Sequence, residues 1–276
     1  MKRHPLYVVD AFSGQPFHGN PAAVCLLRHP HPDHVLQSVA AEMNLSETAF
    51  VSAPNGDLFA SQSFDLRWFT PTMEVSLCGH ATLACAKVLF DELGLSDGAV
   101  TFQTKSGALT ASPVEGGIEL DFPRNDATPS ALPRGLDQIL GPDPVEEVRV
   151  VETRGLVLVK YASPEIVRRL RPDFGRLRRE LPDVHMVIAT APGDPPYDFT
   201  SRCFAPNDGI DEDPVTGLAH TVLGPYWAEP LGKDNFEAYQ ASPRGGSMRV
   251  TLRGSDRVLL RGRARIVVRG YLDLPE

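Results

Sequence analysis

The sequence predicts an α/β chain built as two repeated halves, each a set of short strands around a glycine-led apolar helix. Two observations carry this. Arg67-Trp68-Phe69-Thr70-Pro71, followed by Leu77-Cys78-Gly79-His80-Ala81-Thr82, has a second version about half a chain later. There Arg202-Cys203-Phe204-Ala205-Pro206 is followed by Pro214-Val215-Thr216-Gly217-Leu218-Ala219-His220. In addition, the run after Gly79 (Leu83, Ala84, Cys85, Ala86, Val88, Leu89, Phe90) is apolar on nearly every side, and a helix with no polar face belongs inside a core. Helix N-termini present amide N–H groups that lack intrahelical partners and bind anions. Two such ends aimed at one cleft would hold a small carboxylated molecule from both sides.

Along the chain, Tyr7 to Phe12 alternates as a strand, Pro16 to Pro21 is a turn, and Ala22 to Leu27 resumes as a strand. His29 to His34 reads as an extended, solvent-exposed loop whose alternating prolines splay the imidazoles apart. From Asp33 to Met43, Val35, Leu36, Val39, Ala40 and Met43 recur at helical spacing. Asn44 to Val51 turns into a strand, Phe64 to Phe69 is another, and the apolar helix follows from Ala81 to Leu93. Strands at 99–104, 108–112 and 117–122 complete a meander wrapped round that helix. Prolines and glycines between Pro123 and Pro144 suit a junction, which sets halves of 1–122 and 123–276. The second half repeats the order: strands at 148–151 and 156–160, a basic helix from Pro164, strands at 184–190 and 198–204, then a helix from Gly217. Gly224-Pro225 is expected to interrupt that helix. Strands at 247–252, 257–263 and 265–272 close the chain.

Charge and composition narrow the function classes. A formal net charge of −8 over 276 residues argues against a nucleic-acid partner, which needs a basic face. The cluster Arg168, Arg169, Arg171, Arg176, Arg178 and Arg179 reads as a solvated helix surface. No apolar run has the length to span a membrane, and Met1 to Leu6 is not followed by a signal-type apolar core. Cys25, Cys78, Cys85 and Cys203 show no C-x-x-C spacing, so a reduced, cytoplasmic chain is expected. There is no G-x-G-x-x-G and no phosphate-binding glycine loop of the nucleotide type, and no cofactor or metal is expected.

Glu47 is the first candidate for chemistry. A carboxylate partly buried between apolar segments is disfavoured as an anion, which moves its pKa towards that of a general acid/base. Cys78 at a helix N-terminus could act as a second base, but residues two apart on a helix diverge, so direct pairing with His80 is not expected. The second half has Thr216 in the place of Cys78. His80, at the anion-binding helix end, suits a substrate hydrogen bond, whereas His220 reads as packed helix surface. Asp213 is a helix-capping acid or a substrate contact. Asn20, in the Gly-Asn-Pro turn, is a turn former or a substrate contact.

The segments Asp10-Ala11-Phe12, Gly19-Asn20-Pro21-Ala22-Ala23-Val24, Asn44-Leu45-Ser46-Glu47-Thr48-Ala49-Phe50, Phe69-Thr70-Pro71 with Glu74, Cys78-Gly79-His80-Ala81-Thr82 and Glu212-Asp213-Pro214-Val215-Thr216-Gly217 together resemble the phenazine-biosynthesis isomerase-like (PhzF-like) family, related to diaminopimelate epimerase and proline racemase. The resemblance runs in order through nearly the whole chain. It implies a diaminopimelate-epimerase-like fold of two pseudo-symmetric halves, each a curved, mostly antiparallel sheet around a central helix. The active site would lie in the cleft between the halves, the final strand would return to the first half, and the chain would be a homodimer. It further implies cofactor-independent proton transfer through one glutamate, which falls on Glu47, with the family's substrate-contacting histidine on His80 and its aspartate on Asp213. Gly79, Gly217 and Leu218 would supply backbone N–H groups to the substrate. Where the phenazine-pathway enzyme has a serine after Thr-Gly, this chain has Leu218. A substrate group left unpaired there costs about 1–3 kcal/mol if buried, which argues against a dihydro-hydroxyanthranilate substrate. The expected function is an isomerase moving a proton on a small carboxylated metabolite. The alternatives are a two-base epimerase or racemase using Glu47 and Cys78, and a non-catalytic metabolite-binding protein.

Overall fold

A computed structural model of the protein describes residues 2–274; Met1, Pro275 and Glu276, which the sequence-based halves include, lie outside the described residues. The chain divides into two compact units, one of residues up to Phe122 with those from Leu259 onward, the other Pro123–Val258. The second unit therefore stops short of the 123–276 half read from the sequence, because the closing strand pairs with the first.

The first unit contains β1 (Lys2–Ala11), β2 (Asn20–Leu27), α1 (Asp33–Met43), β3 (Glu47–Ser52), β4 (Ser63–Phe69), β5 (Glu74–Val75), α2 (Gly79–Glu92), β6 (Val100–Thr104), β7 (Gly107–Val114) and β8 (Gly117–Pro123). The second contains β9 (Thr128–Pro129), α3 (Leu136–Leu140), β10 (Glu147–Val151), β11 (Leu156–Lys160), α4 (Pro164–Arg169), α5 (Phe174–Glu180), β12 (Met186–Pro192), β13 (Phe199–Ala205), β14 (Ile210–Asp213), α6 (Gly217–Leu231), β15 (Asn235–Gln240) and β16 (Gly246–Arg253). Then β17 (Arg257–Gly262) carries the chain across the boundary, and β18 (Ala264–Leu274) pairs antiparallel with β1.

Within each unit the strands pair by the same rule. In the first, β1–β2 is antiparallel, β2–β3 parallel through α1, β3–β4 and β4–β5 antiparallel, β4–β6 parallel through α2, and β6–β7 antiparallel. In the second, β10–β11 is antiparallel, β11–β12 parallel through α4 and α5, β12–β13 and β13–β14 antiparallel, β13–β15 parallel through α6, and β15–β16 antiparallel. The parallel strands are covered on both faces, which is why β2 reads as a nearly continuous apolar run from Ala22 to Leu27 and why β13 is buried along its whole length. Helix α2 is buried from His80 to Ala86 and again from Val88 to Phe90, packed by β1, β2, β3, β7 and β18.

The two repeats share one device in detail. Arg67 donates from Nε and Nη2 to the two carboxylate oxygens of Glu74, both at 2.8 Å, with its guanidinium 5.0 Å from the Phe69 ring centre. Arg202 does the same to Glu212, both at 2.7 Å, and lies 4.9 Å from the Phe204 ring centre. The remaining nitrogen ties in the crossover helix. Arg67 Nη1 donates to Asp33 Oδ1 at the start of α1 (2.9 Å), and Arg202 Nη1 donates to the Val167, Arg168 and Leu170 carbonyls at the end of α4.

Three expectations are corrected. Helix α6 runs through Gly224-Pro225 without interruption. The carbonyl that Pro225 cannot serve, that of Thr221, accepts instead from the backbone N–H of Asn125 at 3.2 Å, and the Asn125 amide also donates to Thr221 Oγ1 at 2.8 Å. His220 is not helix surface. It is fully buried, stacked on Phe199 at 6.0 Å, hydrogen-bonded through Nδ1 to Thr216 O, and burial depresses its pKa to about 4. His31 does not splay into solvent: it packs edge-on against the buried His4, ring centres 5.1 Å apart. Strand β15 has no counterpart in the sequence expectations, because Asn235 to Gln240 carries three charged or amide side chains, Asn235, Glu237 and Gln240. Among the described residues no helix is long and apolar enough to cross a membrane.

The paired clamps differ in burial, and that difference is measurable. Side-chain exposure is 6% and 14% for Arg202 and Glu212, but 30% and 14% for Arg67 and Glu74. Glu212→Ala is expected to lower stability by about 3 kcal/mol, because it strands a buried guanidinium. Glu74→Ala is expected to cost only about 1 kcal/mol, since Arg67 is better hydrated and keeps Asp33. Equal losses in denaturant titrations would contradict this. The Arg67 guanidinium holds the Glu74 carboxyl down at about 2, below its ordinary 4.5. A depressed folded-state pKa stabilises at higher pH, so this contribution is complete above about pH 4.5 and lost as pH falls towards about 2. The melting temperature of Glu74→Gln should therefore fall less steeply across that window than that of the unsubstituted chain.

Candidate active site

The parallel pairing of β2 with β3 sets the first constellation. Glu47 opens β3 in register with Ala22, and Asn20 opens β2, so both stand at the same end of the sheet. Gly19 delivers the chain to Asn20 with φ +71°; a Cβ there would lie 2.1 Å from the Ala11 carbonyl oxygen, so only glycine fits. Asn44 ends α1 in the left-handed region, its N–H on the Ala40 carbonyl at 3.1 Å, and so releases the chain three residues before Glu47. His80 lies in the first turn of α2. Gly79, His80 and Ala81 precede the first i→i−4 bond of that helix, Thr82 N to Cys78 O at 3.2 Å.

Asn20, Glu47, Cys78 and His80 come together here. Asn20 Nδ2 donates to His80 Nδ1 at 3.0 Å, which makes Nδ1 an acceptor and puts the ring proton on Nε2. Nε2 lies 3.1 Å from Glu47 Oε2. That oxygen is buried yet makes no well-directed hydrogen bond, so the contact with His80 is electrostatic and leaves a lone pair of Glu47 uncommitted. Asn20 thus acts on His80 directly, a role the turn reading did not include.

Cys78 corrects the spacing argument. Its Sγ lies 3.4 Å from His80 Nδ1. Side chains two apart diverge only where both residues are helical, and Cys78 is the N-cap, with extended backbone at φ −145° and ψ 112°. Its side chain therefore swings back across the first turn. Donor atoms of Glu47, Cys78 and His80 all lie within 4.8 Å of one another.

The second unit holds its own constellation. Asp213 ends β14, and its Oδ2 accepts from Thr216 Oγ1 at 2.6 Å. Thr216 is the N-cap of α6 but makes no side-chain cap bond, because its hydroxyl is turned onto Asp213. Gln240, fully buried at the end of β15, donates to Asp213 O (2.7 Å) and Thr216 Oγ1 (3.1 Å) and accepts from Thr216 N (2.8 Å). Asp213 is thus held beside the start of α6 by Thr216 and Gln240. Gly217, Leu218 and Ala219 precede the first intrahelical bond, His220 N to Thr216 O, and Leu218 is half-buried. Gln240 escaped the sequence reading. No local motif marks it, and only the parallel β13–β15 pairing brings it to Thr216.

Residues 9–270 match the family model described as phenazine biosynthesis-like protein. The chain belongs to this family. It is 47% identical over 256 residues, 92% of each chain, to a protein of Halalkalibacterium halodurans called an uncharacterized isomerase. It is 43% identical over 265 residues to phenazine biosynthesis-like domain-containing protein 2 of Mus musculus, covering 90% of this chain and 92% of that one. Among solved structures, that of a PhzF-family phenazine biosynthesis protein of Enterococcus faecalis superposes with a TM-score of 0.91 at 38% identity, over 99% of this chain and 100% of the other. The fold is the diaminopimelate-epimerase type of this family.

The Asn20 contact fixes a property that nuclear magnetic resonance reads directly. His80 should be the Nε2–H tautomer in ¹⁵N spectra of the purified chain, and Asn20→Ala should leave the ring a mixture of tautomers. A pure Nδ1–H signal from the unsubstituted chain would overturn the assignment.

Proposed function

We propose that this PhzF-family chain is an isomerase that moves a proton on a small carboxylated metabolite, with Glu47 as the acid/base and no cofactor. The observation that carries this reading is the buried Glu47 Oε2, 3.1 Å from His80 Nε2 and without a well-directed hydrogen bond. A carboxylate oxygen in that position is held in place by its neighbour but keeps a lone pair for a carbon-bound proton. The His80 N–H beside it favours the anion once the proton has left, and Asn20 keeps the ring oriented. Amide groups at the start of α2, including that of Gly79, are suited to a substrate carboxylate and to negative charge developing next to it, and those of Gly217 and Leu218 at the start of α6 offer the same anion-binding chemistry in the second unit. Asp213, fixed by Thr216 and Gln240, is a substrate-orienting group in this scheme. Glu47 takes a proton from a carbon acidified by a neighbouring group and returns it to another position or the other face.

A two-base variant has its own support. Cys78 Sγ approaches His80 Nδ1 at 3.4 Å and lies within 4.8 Å of a ligand atom of Glu47, so a thiol and a carboxyl share one small volume. In an epimerase of this kind one group removes the proton and the other delivers one to the opposite face.

Deuterium incorporation from heavy water into a panel of small carboxylates, followed by proton NMR, tests both. Glu47→Gln preserves shape and is expected to slow incorporation by about 10²–10⁴-fold, the usual worth of a positioned acid/base. Undiminished exchange in that variant removes Glu47 from the mechanism. Cys78→Ser should leave a one-base isomerase nearly unchanged and should abolish turnover by a two-base epimerase.

A further inference from the structure

We propose that Glu47, Cys78 and His80 form a binding site for Zn²⁺, and that a bound ion there takes Glu47 out of service. The inhibitory consequence rests on the reading of Glu47 as the proton carrier; the binding does not.

The donor set has zinc chemistry. One thiol, one imidazole and one carboxylate are the three ligand types that zinc accepts, and three protein ligands with a fourth open position are the usual arrangement of an accessible zinc site. The three ligand atoms are within reach of one ion once Cys78 turns. Four-coordinate zinc, with bonds of about 2.0–2.3 Å, separates its donors by roughly 3.4–3.6 Å. One ligand atom from each of the three residues lies within 4.8 Å of the others, and with Nε2 as the imidazole ligand Glu47 Oε2 is already 3.1 Å away, while Cys78 Sγ stands 3.4 Å from the other ring nitrogen, Nδ1, and has to move towards Nε2. Turning the Cys78 side chain about its Cα–Cβ bond, on an extended rather than helical residue, is the main adjustment required. The site is also sheltered: side-chain exposure is 12% for Glu47 and 5% for His80. Asn20 already stands behind the imidazole as the outer-shell partner that a ligating histidine needs, its amide able to turn its oxygen to an Nδ1–H.

The remaining cysteines do not compete. Burial pushes the thiol of Cys25 up to about 12 and raises those of Cys85 and Cys203 as well, so none offers a ready thiolate. No spacing in the sequence announces this site, because Glu47 comes from the start of β3 while Cys78 and His80 come from the start of α2.

The test uses the full chain, stripped with a chelator and then titrated. Zn²⁺ is followed by competition with a chromophoric chelator, and Co²⁺ by its sulfur-to-metal absorption in the near ultraviolet. One equivalent should bind, with the cobalt band present. Cys78→Ser should lose the band and weaken Zn²⁺ binding by at least about 10-fold, since even outer-shell changes cost 10–100-fold. His80→Gln, checked for an unchanged melting curve, should weaken it comparably. The Glu47 carboxyl ¹³C signal should shift when Zn²⁺ is added. Absence of binding, or binding equally strong in both variants (the result expected from exposed histidines alone), overturns the proposal. Binding without a shift at Glu47 overturns its ligand role and with it the inhibition. Undiminished deuterium exchange in Glu47→Gln would instead remove only the inhibitory consequence and leave the metal site standing.

Discussion

The two arginine–glutamate clamps are the constraint on which the site geometry depends. Each closes a strand, a turn and a short return strand with a bidentate ion pair, five residues before the glycine that starts the central helix. Each also reaches sideways to the crossover helix that brings the chain from one parallel strand to the next. Because a planar guanidinium donates to its carboxylate in one orientation, the clamp constrains where the helix begins. The helix itself has no side-chain cap in either copy. What would have been the cap residue is thereby released for other work: Cys78 turns towards His80 in one unit, and Thr216 turns towards Asp213 in the other.

Against that repeated frame the chemistry is unequal. Glu47 is the first residue of β3, and the first residue of the matching β12 is Met186. Cys78 corresponds to Thr216 and His80 to Leu218 by their places relative to Gly79 and Gly217. The first unit thus carries the carboxylate, thiol and imidazole that meet at one helix start. The second keeps the helix start, an aspartate and a hydrogen-bond network built on Gln240. Thr82 and His220, each three residues past its glycine, serve one structural purpose in two ways: Thr82 Oγ1 donates to the Cys78 carbonyl at 2.6 Å, and His220 Nδ1 contacts the Thr216 carbonyl at 2.8 Å. That explains a fully buried histidine with a depressed pKa. It replaces a hydroxyl in the core and belongs to the packing.

The repeat was legible because it is written twice in local motifs, and the family because those motifs recur in order. Helix positions followed from apolar spacing, as for Leu36, Val39 and Ala40 in α1. What escaped was decided by partners distant in sequence. Pro225 signalled a break, but Asn125 satisfies the carbonyl that a proline leaves unserved. Gln240 looks like any amide near a strand end until the parallel pairing of β13 and β15 carries it to Thr216. The distance between Cys78 and His80 was misjudged because side-chain direction depends on backbone state, and the cap position is where that state changes.

That last point links the proton chemistry to the metal chemistry. An extended residue at a helix start sends its side chain back over the first turn, so a thiol at the cap meets a histidine in that turn. A strand that begins beside the same helix start then adds its first side chain, Glu47. Sharing a small, sheltered volume between a carboxylate, an imidazole and a thiol favours proton movement, since each group is within reach of the next and water is scarce. The same closeness brings one ligand atom of each residue within 4.8 Å of the others, in reach of one cation once Cys78 turns. A site assembled to handle a proton with these residues is open to zinc on the same grounds. In the matching unit, threonine in place of the cysteine, leucine in place of the histidine and methionine in place of the glutamate remove all three donors at once.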